Sequence, residues 1–171
     1  MKAERRLSHG AVARWLTKRT KGRGAEFLAM SGEHAERAGE TALAIDCFVQ
    51  AGTEAQPRFA NTAAVSWLRR ALALLGESEP TRRCDLLDGL QKVADVVGDR
   101  SIQDALLAEM AMLVERHPDD QRQARMLFSR ALLADRRGDA AVSETLARQA
   151  FELAERCGAA RCAAMAQCHL T

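Results

Sequence analysis

The sequence predicts an all-α fold, a right-handed α-solenoid of about nine helices in antiparallel pairs. Composition is the first observation. Apolar residues make up 47% of the chain, aromatic residues only 4%, and tyrosine is absent, which favours helices packed through small side chains over sheets. The second is a small–large–small stripe that occurs twice, at steps of four and three residues. Its members are Ala44, Phe48 and Ala51, then Ala64, Leu68 and Ala71. Such a stripe lies on one helix face and lets two helices approach closely.

The third observation is a glycine–acid turn that recurs between predicted helices. A glycine followed by an acid ends an apolar helix at Gly39–Glu40, Gly98–Asp99 and Gly138–Asp139. Glycine tolerates the left-handed conformation in which helices commonly end. The last two turns are 40 residues apart (138 − 98 = 40), the length of one helical pair. Because such pairs cannot bury their apolar faces alone, we expect them to stack on one another.

Four helices are predicted before the first linker, at residues 8–19, 25–38, 41–55 and 62–75. Ser8 and Asn61 are the predicted N-caps of the first and the fourth. The predicted apolar side of the first helix consists of Val12, Trp15 and Leu16. The inward residues of the other three are Phe27, Leu28, Gly32 and Ala35; Ala44, Cys47, Phe48 and Ala51; and Ala64, Val65, Leu68, Ala71, Leu72 and Leu75.

Further helices follow a linker at residues 77–81, and they are predicted at 80–97, 101–116, 119–137, 139–157 and from 159 onward. Pro80 suits a first helical turn, and Ser101 with Asp104 resembles a capping box. Their inward residues are Leu86, Leu87, Leu90, Val93, Ala94 and Val97; Ile102, Ala105, Leu106, Met110 and Leu113; Ala124, Leu127, Phe128, Ala131 and Ala134; and Val142, Leu146, Ala150, Leu153 and Cys157.

We therefore expect a single helical-repeat domain over residues 1–171. Residues 1–24 form a basic leading helix and turn, residues 25–76 form the best-defined repeat unit, and residues 77–171 form more divergent helix pairs. The final segment is nearly free of charge, since Arg161 is its only charged residue after position 158 apart from histidine. This predicts that the array continues in the natural protein or self-associates through the C-terminal helix.

Charge is distributed unevenly along the chain. Residues 1–23 hold eight Lys or Arg against one acid, which leaves 17 basic and 22 acidic residues elsewhere (25 − 8 and 23 − 1). Such a segment either contacts nucleic acid or an anionic surface, or is a solvated helix face. We favour the solvated face, so nucleic acid is not the expected partner.

Cysteine usage and the N-terminus predict a cytoplasmic protein. The first 15 residues lack the apolar core of a signal peptide, and no apolar run is long enough to span a membrane. The five cysteines are irregularly spaced without a CxxC pair, and Cys157, Cys162 and Cys168 fall on different helix faces. We therefore expect reduced thiols, no metal, no cofactor and no membrane partner.

Four residues are candidate partner contacts: His34, Trp67, Arg69 and Arg70. His34 lies on a helix expected to line a concave surface, and Trp and Arg are enriched at binding hot spots. The alternatives are an ordinary surface histidine and a tryptophan that buries area between helices. No catalytic residue is predicted, because the four histidines have no nucleophile and acid at a triad-like spacing.

The best-defined unit resembles the tetratricopeptide repeat in a divergent, elongated form. The residues at the offsets of that signature are Leu28, Gly32, Ala35, Gly39, Ala44, Phe48 and Ala51. Ser31 and Ala35 depart from it, since larger residues are usual there. Over residues 4–76 the chain also resembles the helical region behind the ATPase module of bacterial adenylate/guanylate cyclase-type proteins and ATP-dependent transcriptional regulators. The chain has no GxxxxGK[ST] loop, so the resemblance implies a repeat or sensor region without that chemistry.

The expected function is a non-enzymatic protein-interaction or regulatory scaffold, bound to a protein partner or to other domains of a larger parent chain. Two alternatives stay open: a small-effector sensor that uses the concave face, and a nucleic-acid contact through residues 1–23. An open groove with exposed apolar residues favours the scaffold. A closed apolar pocket with convergent polar groups favours the sensor, and a steep salt dependence favours nucleic acid.

Overall fold

The computed structural model describes residues 2–19, 24–58 and 60–171, and within these residues it contains helices and no strand. The α-helices are α1 (Lys2–Arg19), α2 (Ala25–Ala38), α3 (Thr41–Ala55), α4 (Asn61–Leu75), α5 (Pro80–Val97), α6 (Arg100–Arg116), α7 (Asp120–Arg136), α8 (Ala140–Arg156) and α9 (Ala160–Leu170). A short 3-10 helix follows α3 at Gln56–Arg58. The all-α class is confirmed, whereas the right-handed superhelix stays a prediction. The predicted turn at residues 20–24 lies, except for Gly24, outside the described residues.

The chain folds as two compact units, Met1–Glu79 (unit 1) and Pro80–Thr171 (unit 2). The division falls within the predicted linker at residues 77–81. In unit 1, α1 packs on α2, α2 on α3, and α3 on α4. In unit 2 each helix packs on the next, and α7 also contacts α5 and α9. None of the helices in the described part of the chain combines the length and apolarity that a bilayer crossing requires.

The stripe predicted from the sequence forms the core of unit 1. Its six residues in α3 and α4 are each at most 2% exposed. Gly52 allows the two helices to approach closely, because a Cβ atom there would lie 2.6 Å from Cγ of Leu68. Ser31 is fully buried and donates a hydrogen bond to the Ala13 carbonyl at 2.9 Å. A small polar residue therefore joins α2 to α1.

The predicted glycine turns are confirmed, and one more occurs. Left-handed φ angles of 71–82° are found at Gly39, Gly98, Gly138 and Gly158. At the first turn the Glu40 N–H donates to the Ala35 carbonyl at 2.9 Å, and at the last the Ala159 N–H donates to the Ala154 carbonyl at 2.8 Å. These are Schellman-type helix ends. The fourth turn lacks the acid that marks the other three in the sequence.

Aspartates cap three helices of unit 2, and the predicted caps were wrong. The side chain of Asp99 accepts a hydrogen bond from the Ile102 N–H at 3.0 Å, so it caps α6 in place of Ser101. Asp119 and Asp139 cap α7 and α8 in the same way. Each of these carboxylates precedes the first helical residue, which is the position from which an N-cap accepts.

The other two predicted caps are also wrong. Ser8 lies inside α1, where its hydroxyl donates to the Glu4 carbonyl at 3.0 Å. α1 begins six residues earlier than predicted (8 − 2 = 6), so Ser8 cannot serve its N-terminus. Asn61 is the first residue of α4, which follows Ala60 without a side-chain cap.

Several predicted inward residues are exposed. Val12 and Trp15 are 38% and 52% exposed, whereas Leu16 is buried as predicted and Ala13 is buried beside it. In unit 2 the exposed ones are Val97, Ala105 and Val142. All five share a helix with predicted inward residues that are buried, so the helices are correct and these five residues lie outside the buried stripe.

Helix starts recur every 40 residues in unit 2. α5, α7 and α9 begin at Pro80, Asp120 and Ala160 (120 − 80 = 160 − 120 = 40). α6 and α8 begin at Arg100 and Ala140 (140 − 100 = 40). Residues 40 apart therefore hold equivalent positions in successive helix pairs, as in repeat proteins.

Candidate functional site

A groove of about 830 Å³ lies on unit 2, lined mainly by α5, α7 and α9. Equivalent positions of successive repeats contribute to it. Asp85, Arg125 and Met165 all line the groove and are 40 residues apart (125 − 85 = 165 − 125 = 40). Stacked repeats create extended binding surfaces in this way, because each repeat presents the same position to one side. We call this surface the unit 2 groove.

A buried polar network forms part of the groove lining. The amide of Gln91, on α5, donates to the hydroxyl of Ser129 at 2.8 Å and to the carboxylate of Asp88 at 3.3 Å. Gln103, on α6, donates to the Gln91 side-chain oxygen at 3.3 Å and accepts from Arg100 at 3.0 Å. Buried polar groups are costly unless they are hydrogen-bonded, so this network holds three helices in a defined arrangement.

Ion pairs between residues that line the groove join α5 to α7. Asp85 accepts from Arg122 at 2.8 Å and from Arg125 at 3.0 Å, and Asp88 lies 3.6 Å from Arg125. The hydrogen bond to Asp85 raises the pKa of the Arg122 guanidinium, which therefore stays charged. These pairs orient two arginines beside the groove.

The groove has more unused donors than unused acceptors. The Nε atoms of Arg122 and Arg125 are buried without a hydrogen-bond partner among the described residues. The side chain of Arg161, at the start of α9, likewise has no hydrogen bond or ion pair within the described part of the chain. The three groove carboxylates are each paired: Asp85 with Arg122, Asp88 with Lys92, and Asp95 with Arg100. The unused charge is therefore positive.

Apolar side chains line the remainder of the groove. Val96 is 68% exposed and Met165 is 43% exposed, while Phe128 and Cys162 are largely buried. Burial raises the pKa of the Cys162 thiol, so this side chain is neutral at physiological pH and provides apolar surface. The groove thus offers apolar contacts beside unused cationic donors.

The candidate contacts predicted from the sequence belong to unit 1, and none of them lines the unit 2 groove. His34 contacts α1, with its Nδ1 atom 2.8 Å from Nδ1 of His9. Trp67 is half-buried and packs against Leu28, Ala29 and Ala51.

The two arginines that follow Trp67 differ. Arg70 bonds Glu36 at 2.7 Å and Glu33 at 3.4 Å, and its guanidinium lies 4.7 Å from the ring centroid of Phe48. Arg69 is exposed. The structure therefore places His34, Trp67 and Arg70 in contacts within unit 1, and a role for these residues in partner binding stays a prediction.

Sequence reasoning missed the unit 2 groove. Asp85, Arg125 and Met165 are an acid, a base and an apolar residue, so no shared residue type marks their equivalence. The available signal was the 40-residue spacing of Gly98 and Gly138, which sets the register of the repeats.

The three C-terminal cysteines have different environments. Cys157 donates to the Ala154 carbonyl at 3.6 Å, Cys162 is buried, and Cys168 is exposed. His169 instead contacts the Ser143 hydroxyl at 2.8 Å. Among residues 2–19, 24–58 and 60–171, no three His, Cys, Asp or Glu side chains are placed to hold a metal ion.

The chain matches no protein-family model, and it matches no curated protein.

Proposed function

We propose that this chain is a non-enzymatic protein-interaction module, and that the unit 2 groove binds an extended segment of a partner protein. The observation that carries this proposal is the groove lining, in which Asp85, Arg125 and Met165 come from equivalent positions of three successive repeats. Lining positions at a regular spacing suit a ligand that runs along successive repeats, as an extended peptide does.

The exposed apolar residues support a protein partner. Val96 and Met165 are exposed to solvent at the groove. A partner that covers them would gain about 25 cal/mol of binding free energy for each Å² of apolar surface buried. Open apolar surface beside polar groups is typical of protein-interaction sites. The small-effector alternative is weaker, because an enclosed apolar pocket is the usual form of such sites.

The charge of the groove indicates the kind of segment. Its three carboxylates are paired internally, whereas the exposed Arg161 side chain has no ion pair among the described residues. Hydrogen bonds between arginine and carboxylate are stronger than those between neutral groups. The expected ligand is therefore a segment with acidic and apolar side chains.

Peptide selection with the full chain tests this proposal. Peptides enriched from a random library should carry Asp or Glu together with Met, Leu or Val. Their affinity, measured by fluorescence anisotropy, should fall at least tenfold in Arg161→Glu and in Met165→Glu. Arg130→Glu is the matched control, because Arg130 is exposed on α7 and does not line the groove. The proposal is wrong if no peptide is enriched, or if Arg130→Glu weakens binding as much as Arg161→Glu.

We also infer that the chain belongs to a larger signalling protein, as the repeat region behind an ATPase module. The order of elements over residues 4–76 supports this through its resemblance to cyclase-type proteins and ATP-dependent regulators. The natural gene provides the test, since it should encode an ATP-binding domain upstream of this region. A gene without such a domain would contradict the inference.

A further inference from the structure

Unit 1 carries a second hollow of about 450 Å³, and every described residue that lines it is basic. Arg5, Arg6 and His9 of α1 and Arg37 of α2 form it. His9 follows Arg5 by four residues and Arg6 by three, so all three lie on the side of α1 that faces α2. Four basic side chains from two helices therefore converge on one place.

Three carboxylates near this cluster are engaged mainly by arginines that do not line the hollow. Glu33 and Glu36 are engaged by Arg70, at 3.4 and 2.7 Å, and Glu40 is engaged by Arg14.

The contacts of the lining residues themselves are sparse. Arg37 has only a long 4.0 Å contact with Glu33. Neither the Arg5 nor the Arg6 side chain has a hydrogen bond or ion pair within the described residues. Within the described residues of unit 1, Arg5 and Arg6 therefore bring positive charge to the hollow that no ion pair balances.

Local backbone and ring contacts position two of the four groups. The guanidinium of Arg6 lies over Gly39, at the place where a Cβ atom would otherwise stand. The Nδ1 atom of His9 contacts Nδ1 of His34 at 2.8 Å, with the ring centroids 4.9 Å apart. Pre-positioned groups lose less conformational entropy when a ligand binds.

We propose that this hollow binds the diphosphate group of a small soluble anion. Arginine forks match phosphate oxygens with two parallel hydrogen bonds, and three of the four lining residues are arginines. The volume lies within the range of small-molecule sites, and two linked phosphates supply enough charge for four basic groups.

The other basic residues of α1 favour a compact anion over nucleic acid. Arg14 is paired with Glu40, and the guanidinium of Arg19 lies 4.7 Å from the ring centroid of Trp15. Neither lines the hollow. A polynucleotide would need a continuous basic strip that follows its backbone, and Arg14 and Arg19 are already engaged in contacts within unit 1.

Calorimetry with the full chain in a phosphate-free buffer at low salt tests the proposal. Sodium pyrophosphate should bind saturably with one site per chain. ADP should bind at the same site, and adenosine, which lacks phosphate, should not. Pyrophosphate binding without ADP binding would assign the site to an inorganic ligand, whereas binding of both would assign it to the shared diphosphate. ADP binding without pyrophosphate binding would overturn the proposal.

Charge-neutralising variants localise the site. Arg6→Gln and Arg37→Gln should each weaken pyrophosphate binding about tenfold or more, because each removes hydrogen bonds to a charged ligand. Arg19→Gln, on the same helix but outside the hollow, is the matched control and should change affinity by less than about twofold.

Amide NMR shifts of the wild-type chain provide a readout that does not depend on whether the variants fold. Pyrophosphate should move the signals of Arg6, His9, Arg37 and Gly39 most. The absence of saturable binding, or an equal loss in Arg19→Gln, would overturn the proposal. An oligonucleotide that binds more tightly and depends equally on Arg19 and Arg37 would instead identify a nucleic-acid surface.

Discussion

The ring of Phe48 lies against the backbone of Gly32, where a Cβ atom would stand only 2.9 Å from the ring atom Cε1. Phe48 is fully buried, so its ring has no free space into which to move. The absence of a side chain at Gly32 thus sets how closely α2 and α3 approach.

Gly32→Ala should destabilise the chain by about 1–3 kcal/mol, the usual cost of overpacking a dense core. Urea denaturation at constant pH measures the change. Gly89→Ala is the matched control, since a Cβ atom at this position in α5 would have no heavy atom within 4 Å. It should stabilise the chain by about 0.5–1 kcal/mol, because alanine is the better helix former. Equal effects of the two substitutions would show that Gly32 is not a packing constraint.

Truncation of Phe48 tests the contribution of its ring to the same α2–α3 core. Phe48→Ala should cost about 3–5 kcal/mol, because it removes a buried aromatic side chain and leaves a cavity. The transition should be followed by urea denaturation and far-ultraviolet circular dichroism. A loss below about 1 kcal/mol would mean that the α2–α3 core relaxes around the missing ring.

The cap of α6 distinguishes the observed arrangement from the predicted one. Asp99→Ala should cost about 1 kcal/mol, because the Asp99 carboxylate accepts from the Ile102 N–H at 3.0 Å. Ser101→Ala should change the free energy of unfolding by less than about 0.5 kcal/mol, since Ser101 is exposed within the helix. If Ser101→Ala destabilised the chain more than Asp99→Ala in thermal or urea melts, Ser101 would be the cap of α6, as the sequence predicts.

His34 should make stability depend on pH. Burial lowers the pKa of His34 from its ordinary value of 6.5, and His9 and Arg37 lower it further, while Glu33 acts in the opposite direction. In the unfolded chain His34 therefore takes up a proton at a higher pH than in the folded chain. As the pH decreases below 6.5, proton uptake by His34 in the unfolded chain should lower the free energy of unfolding. This contribution of His34 should level off once the pH is below the pKa of His34 in the folded chain. Urea denaturation between pH 7.5 and 5 should give a shallower dependence for His34→Gln, and an unchanged slope would contradict the assignment.

The exposed side of α9 should support self-association. Met165 is 43% exposed and Cys168 is also exposed, whereas Cys162, Ala163 and Ala166 pack inward. Sedimentation velocity should detect concentration-dependent association that Met165→Glu with Leu170→Glu reduces. A monomer at high concentration, with slow hydrogen exchange in α9, would rule this out.

Short-range patterns were enough to predict the helices and most of their ends. The apolar period of Leu86, Leu87, Leu90, Val93 and Ala94 lies within one helix, and those residues are buried as predicted. Gly39 ends α2 for a reason that also lies within a few residues, since glycine readily adopts the left-handed conformation. Such features depend on neighbours in the chain, so they can be inferred before any packing is known.

Long-range packing brought together the residues of both candidate sites. Asp85 pairs with Arg125 across 40 positions (125 − 85 = 40), and His9 contacts His34 across 25. Neither pairing leaves a local pattern, because each depends on the register and rotation of two separate helices. The same reason explains the faces of α1, where Trp15 is exposed and Ala13 is buried: the sequence allowed either side, and contact with α2 selected one.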